Sequence, residues 1–192
     1  MRVLGISGSL RRDSYNHALL RRAAERLPAG AELVEFDRLR EIPAYDADLE
    51  EGGAPAPEAV AALREAMREA DAVLIATPEY NQSIPGALKN ALDWASRPAG
   101  ESALTGTPAA VIGASTGMFG AVWAQAELRK VLGALGGRVV DAELPVPHAA
   151  QVYEGGRLQL SPEQTEALDG LLAELISVVE QLQESAAERV AA

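Results

Sequence analysis

The chain has 192 residues and a formal net charge of −11, with 48% hydrophobic residues, two histidines and no cysteine. That apolar content excludes a disordered chain, and the negative charge argues against nucleic acid or an anionic membrane surface as a partner. Without cysteine there is no disulfide, thiolate metal site or cysteine nucleophile, and His17 and His148 lack ligand-like spacing, so no protein metal centre is expected.

In chain order, Val3–Ser7 reads as a first strand, followed by a loop rich in glycine, serine and arginine. A helix over 16–27 places Leu19, Leu20, Ala23, Ala24 and Leu27 on one face. Residues 31–37 alternate as a second strand, and 39–57, with its prolines and adjacent glycines, reads as a long loop. A helix over 58–70 leads to Ala72–Thr77, which is apolar throughout, as a strand buried on both faces requires. Pro78–Pro85 is a second loop, and a third helix follows over 86–96. Residues 109–115 form another buried strand; a Gly-rich loop and a helix over about 121–135 come next, then a weaker strand over 138–142. Ser161-Pro162-Glu163-Gln164 is a capping box with proline at the first helical position. The helix it opens carries Leu168, Leu171, Leu172, Leu175, Ile176, Val179 and Leu182 at helical spacing. Residues 1–185 are expected to form one domain, and 186–192 to fray.

Strands alternating with helices predict an α/β fold, a parallel sheet covered by helices on both faces. Ligands of such sheets bind beyond the carboxyl ends of the strands. The loops Gly8–Tyr15, Pro78–Pro85 and Thr116–Gly120 each follow a strand, so all three converge on one sheet edge. The first offers backbone N–H groups, the hydroxyls of Ser7, Ser9 and Ser14, a helix N-terminus and the arginines Arg11 and Arg12, a donor set suited to phosphate. The glycine pattern of a dinucleotide fold is missing, although Asp37 stands at the end of the second strand, and there is no Gly-Lys-Ser/Thr of a P-loop. A hydroxyl-rich loop suits a monophosphate. In a flavodoxin-like sheet of order 2-1-3-4-5 that ligand is FMN.

Three segments carry a resemblance to a known family. They are Gly8-Ser9-Leu10-Arg11-Arg12-Asp13-Ser14-Tyr15-Asn16, Thr77-Pro78-Glu79-Tyr80-Asn81 continuing through Ser83-Ile84-Pro85-Gly86 to Trp94, and Ser115-Thr116-Gly117-Met118-Phe119-Gly120. In this order, over roughly residues 1–155, the chain resembles the NADPH-dependent FMN reductases, the flavodoxin-like group of bacterial quinone, azo-dye and chromate reductases.

The resemblance implies a five-stranded three-layer sandwich that binds FMN. Ser9, Arg11, Ser14, Tyr15 and Asn16 would lie at its phosphate. Pro78, Glu79, Tyr80 and Asn81 would run along its ring, largely through backbone groups, and Ser115, Thr116 and Gly117 would close the other side. NADPH or NADH would be the reductant. A quinone, azo or nitro compound would be the acceptor in ping-pong turnover, with no catalytic side chain beyond the flavin. A homodimer or homotetramer in the cytoplasm is expected. The family pattern has a second glycine after Gly120 and an arginine two positions later, where this chain has Ala121 and Trp123.

Each of these residues also has a structural reading. Ser9 and Ser14 suit helix capping, Glu79 a solvated loop, and Arg12 a neighbour of the phosphate site rather than a ligand. Trp94 and Trp123 suit packing or an interface, as do Asn90 and Leu92 on the same helix as Trp94, and His17 suits the surface. The alternative function is a flavodoxin-like electron carrier or FMN-binding module without turnover. Against it, the two loops expected at the ring, Pro78–Pro85 and Thr116–Gly120, contain only Tyr80 and Phe119 as aromatics.

Overall fold

The computed structural model describes residues 1–191. Strand β1 (Arg2–Ser7) leads into helix α1 (Tyr15–Ala24), then β2 (Glu32–Phe36), α2 (Glu58–Glu69), β3 (Ala72–Thr77) and α3 (Gly86–Ala95). There follow β4 (Pro108–Ala114), α4 (Val122–Ala134), β5 (Arg138–Val139), β6 (Pro145–Val146), a hairpin of β7 (Tyr153–Glu154) and β8 (Arg157–Leu158), and α5 (Pro162–Ala191). The main sheet is parallel in the order β2-β1-β3-β4-β5, the flavodoxin-like order expected.

Every residue of β3 and β4 is buried, because helices cover the sheet on both sides. Strand side chains alternate between two cores. Leu4, Ile6, Val73, Ile75 and Val111 meet Leu63 and Met67 of α2, Leu88, Leu92 and Trp94 of α3, and Leu128 of α4. Val3, Leu74, Ala110 and Ile112 meet Leu19 and Leu20 of α1 and Leu168, Leu171, Leu172 and Leu175 of α5. Each buried leucine contributes about 1.5–3 kcal/mol relative to an exposed one.

The capping box forms as its sequence requires. The Ser161 Oγ accepts from the Gln164 N–H at 3.2 Å, and the Gln164 side chain accepts from the Ser161 N–H at 3.0 Å. Helix α5 then continues to Ala191, past Ala186, where fraying was expected. Ala192 lies outside the described residues.

The fifth strand is not continuous, which shortens the expected strand over 138–142 while the expected order of the sheet holds. β5 pairs with β4 only at Pro108 and Ala109, the chain leaves the ladder, and β6 returns as a sixth strand at Gly113 and Ala114. Gln125 of α4 fills the break. Its side chain is fully buried, accepts from the Leu144 N–H at 3.1 Å and donates to the Gly120 carbonyl at 3.1 Å.

Helix α3 anchors the long segment between β2 and α2. The Asn90 amide accepts from the Tyr45 N–H and donates to the Pro43 carbonyl, both at 2.7 Å, and the Trp94 indole N–H reaches that carbonyl at 2.9 Å. Trp94 and Leu92 are fully buried within the chain, so packing accounts for both. Arg64 donates to the Trp94 carbonyl and to Glu50, and its guanidinium holds the Glu50 carboxyl below the usual carboxylate range.

Candidate active site

The parallel register brings Ser7, Thr77 and Ala114, the last residues of β1, β3 and β4, to one edge of the sheet. The loop leaving β1 starts at Gly8, whose N–H bonds the Ala76 carbonyl at 2.8 Å. A Cβ at Gly8 would lie 2.9 Å from the Leu88 side chain, so glycine lets the loop pass close over α3. Ser14 caps α1, its Oγ accepting from the N–H groups of Asn16 at 3.1 Å and His17 at 3.4 Å. The hydroxyl proton remains free to donate. Ser9 is buried, and its Oγ accepts weakly from the Arg11 N–H at 3.4 Å.

Among the described residues, the backbone N–H groups of Arg12, Asp13 and Ser14 have no acceptor. Arg11 pairs with no carboxylate there, and its guanidinium lies 4.5 Å from the centre of the Tyr15 ring. Unsatisfied donors, two serine hydroxyls, a helix N-terminus and a free guanidinium form a donor set that fits a phosphate monoester.

Asn16 is committed to the scaffold. Its side chain donates to the Ala114 carbonyl at 3.0 Å and accepts from the Ala114 N–H at 2.9 Å. That clamp joins α1 to the end of β4 and leaves one amide hydrogen for a ligand.

Opposite lies the loop after β3. Tyr80 and Ser83 exchange backbone hydrogen bonds of 3.0 and 3.1 Å, and both residues between them, Asn81 and Gln82, have positive φ (53° and 61°). This is a type I′ hairpin turn, in which asparagine is at home and glutamine is not. The turn leaves Tyr80 53% exposed at the cleft.

Glu79 is no solvated carboxylate. One of its oxygens accepts from the N–H groups of Trp123 at 3.0 Å and Ala124 at 3.1 Å. It caps α4 from another loop, because the helix's own cap position holds Ala121, which has no acceptor. Ala121 has φ 65°, a left-handed conformation that suits the glycine of the family pattern at this position. Trp123, in place of the arginine, packs edge-to-face on Phe119 at 4.7 Å.

The loop after β4 is held from behind. The N–H groups of His148 and Ala149 bond the carbonyls of Gly117 (3.0 Å) and Ser115 (2.9 Å). His148 thus ties the loop down through its backbone. Gly120 (φ 60°) runs so close to β6 that a Cβ would sit 2.6 Å from the Val146 nitrogen.

These loops enclose a cleft of about 280 Å³ lined by Ser9, Arg11, Ser14, Tyr15, Asn16, Pro78, Glu79, Tyr80, Ala114, Ser115 and Thr116. Of the residues predicted from sequence, Asn81 and Gly117 do not line it, one lying in the hairpin turn and the other bonded back to His148. Ala114, Gln125 and Gln82 were not anticipated. Gln125 had a signal in the sequence, a glutamine among Ala124, Leu128 and Leu132 on the buried stripe of α4.

The sequence profile of the NADPH-dependent FMN reductases matches residues 1–151. The chain belongs to that family. It is 51% identical over 132 residues to an NAD(P)H-dependent FMN reductase of Pseudomonas aeruginosa, covering 69% of each chain. It is 43% identical over 131 residues to a 2-hydroxy-1,4-benzoquinone reductase of a Burkholderia species, covering 68% of this chain and 69% of the relative. Among solved structures, the flavoenzyme NAD(P)H:(acceptor) oxidoreductase FerB of Paracoccus denitrificans superposes with a TM-score of 0.80 at 35% identity, covering 94% of this chain and 97% of the other. As a member of the FMN reductase family the chain is an oxidoreductase, with FMN as its flavin and NAD(P)H as reductant. No helix among the described residues is long and apolar enough to cross a membrane.

Proposed function

We infer that the chain is a single-domain FMN-dependent NAD(P)H:quinone reductase. The observation that carries this reading is one cleft in which unsatisfied phosphate donors at Ser9–Ser14 face the ring-sized space between Pro78–Tyr80 and Ser115–Thr116. Ser9, Arg11 and Ser14 hold the FMN phosphate, with the remaining amide hydrogen of Asn16, and Tyr15 supports Arg11. Pro78, Glu79 and Tyr80 border the ring on one side, and Ser115 and Thr116 on the other, with Asn81 and Gly117 behind them in the same loops. Bound there, FMN supplies the two-electron hydride chemistry that these side chains cannot.

The backbone N–H groups of Glu79, Asn81, Thr116 and Gly117 have no acceptor among the described residues. They are available to oppose negative charge gathered at the ring. NAD(P)H and the acceptor use the same open cleft in turn, which gives ping-pong kinetics. The overall balance is hydride from NAD(P)H plus a proton from water, converting a quinone to its hydroquinone. Azo and nitro compounds fit the same opening. A steady supply of NAD(P)H suits a cytoplasmic reaction. Tyr80, Met118, Phe119 and Trp123 are large, apolar and exposed around the cleft, a patch that suits a dimer or tetramer contact.

The test is an anaerobic absorbance titration of the FMN-loaded protein with NADPH, followed by addition of a benzoquinone. Bleaching of the flavin bands and their recovery with quinone is expected; bands that persist under NADPH would sink the reductase reading. Light scattering at micromolar concentration checks the oligomer, and a monomer would count against it.

A further inference from the structure

The phosphate loop has a second side. Ser9 and Arg11 line not only the cleft but also a cavity of about 200 Å³ against the end of β2, to which Arg12, Arg21, Arg40 and Asp37 also contribute. In a chain of net charge −11, arginines are expected to find carboxylates. Arg2, Arg22, Arg26, Arg38, Arg64, Arg68, Arg129 and Arg157 all do so. Among the described residues, Arg11, Arg12, Arg21 and Arg40 make no ion pair, and all four line this one cavity, whereas Arg97 and Arg138, which make none either, lie elsewhere. Arg40 donates to the Leu10 carbonyl and Arg21 to the Gly156 carbonyl, so both guanidiniums are positioned by backbone and keep free donors. His17 at the same cavity is paired with Glu35.

Asp37 follows the last residue of β2 directly. In dinucleotide-binding sheets with a glycine-rich first loop, a pattern this chain lacks, a carboxylate at this place bonds an adenosine ribose hydroxyl and a neighbouring arginine takes a phosphate on that ribose. The cavity therefore combines an acceptor for ribose hydroxyls with several guanidiniums for a phosphate. The sheet order sets its distance from the flavin ring. The ring loops follow β3 and β4, the phosphate loop follows β1, and this cavity lies at β2, about 14 Å from β4 at one strand spacing per step. A dinucleotide spans that distance.

Resting on the flavin reductase reading, we propose that this cavity is an adenosine-phosphate site: Arg12, Arg21 and Arg40 hold the phosphate and Asp37 the ribose hydroxyls. Two sources supply that chemistry, the 2′-phosphoadenosine end of NADPH and the adenylate half of FAD.

The experiment compares the wild-type, FMN-loaded protein with Arg12→Ala, which removes a side chain that holds no other part of the fold. Adenosine 2′,5′-bisphosphate is titrated calorimetrically, and the KM ratio of NADPH to NADH and the Kd values of FMN and FAD are measured. The site predicts wild-type binding of the bisphosphate that weakens about ten- to a hundredfold in Arg12→Ala, as for a lost charge-assisted contact. A matching rise in the KM ratio assigns the site to NADPH. A rise in the Kd of FAD but not of FMN assigns it to the flavin's adenylate. Bisphosphate that does not bind, or an FMN Kd that rises as much as the others, overturns the proposal. Calorimetry needs no turnover, so this result is separate from failure of the reductase reading, which would appear as no NADPH oxidation by wild type.

Discussion

On the β1 side of the cleft, the loop from Ser9 to Ser14 keeps the backbone donors of Arg12, Asp13 and Ser14 free and is shaped by a strand end and a helix cap that lie next to it in sequence. On the β3–β4 side, the loops are bound to one another and to the 144–149 segment through Glu79, Gln125, Gly117 and Ser115. Four non-glycine residues there, Asn81, Gln82, Ala121 and His148, are left-handed. A phosphate receptor needs donors left over, and local secondary structure supplies them. A ring slot needs walls at a fixed separation, and only long-range ties and strained turns provide that.

The comparison breaks most visibly at Gly120. A side chain there meets backbone at 2.6–2.8 Å on three atoms and also needs φ 60°. Gly120→Val is expected to cost about 3 kcal/mol or more, from overpacking and left-handed strain together, read as a lowered urea midpoint. A loss under about 1 kcal/mol would mean that the β4 loop moves freely against β6. The phosphate side should behave in the opposite way. Arg11→Ala leaves the fold stable but weakens FMN binding by about 1.5–3 kcal/mol, roughly ten- to a hundredfold, while Arg12→Ala leaves the FMN Kd nearly unchanged. Fluorescence titration of FMN with both variants decides it, and equal losses would remove Arg11 from its assigned role.

This contrast also governs what could be read from the sequence. The two buried central strands, the capping box at Ser161 and the phosphate loop all depend on near neighbours, so periodicity and turn chemistry exposed them, whereas the strand order, which pairs β1 with β3, was implied only by the family resemblance. The split of the last strand was hidden, because the break depends on Gln125 bonding Leu144 nineteen residues away. Glu79 read as a solvated carboxylate for the same reason, since its partners lie 44 and 45 residues on. Ser14 and Asn16 were both placed at the site, yet nothing in the local pattern indicated that Asn16 would clamp Ala114 across 98 residues.

Glu79 gives the intermediate effect. Glu79→Ala removes the side-chain cap of α4 and is expected to destabilise by about 1 kcal/mol, seen as a lower thermal midpoint. Glu79→Gln retains an acceptor oxygen and loses only the charge near the helix N-terminus, so it should recover part of that loss. If the two variants are equally unstable, the charge rather than the hydrogen bonds joins the loops.

The smallest effects separate two of the left-handed residues. Gln82 is exposed, and its φ of 61° costs about 1–2 kcal/mol that glycine avoids. Glycine returns about 0.5–1 kcal/mol of unfolded-state entropy, so Gln82→Gly should stabilise by about 0.5–1 kcal/mol. Ala121 has a similar φ of 65° but is 1% exposed. Its methyl contributes about 0.8 kcal/mol of burial, which glycine gives up. Relief, entropy and burial then nearly cancel, and Ala121→Gly should leave the urea midpoint almost where it was. Equal gains in the two variants would mean that the Ala121 methyl packs against nothing of consequence. Equal neutrality would mean that the Tyr80–Ser83 turn holds Gln82 without strain.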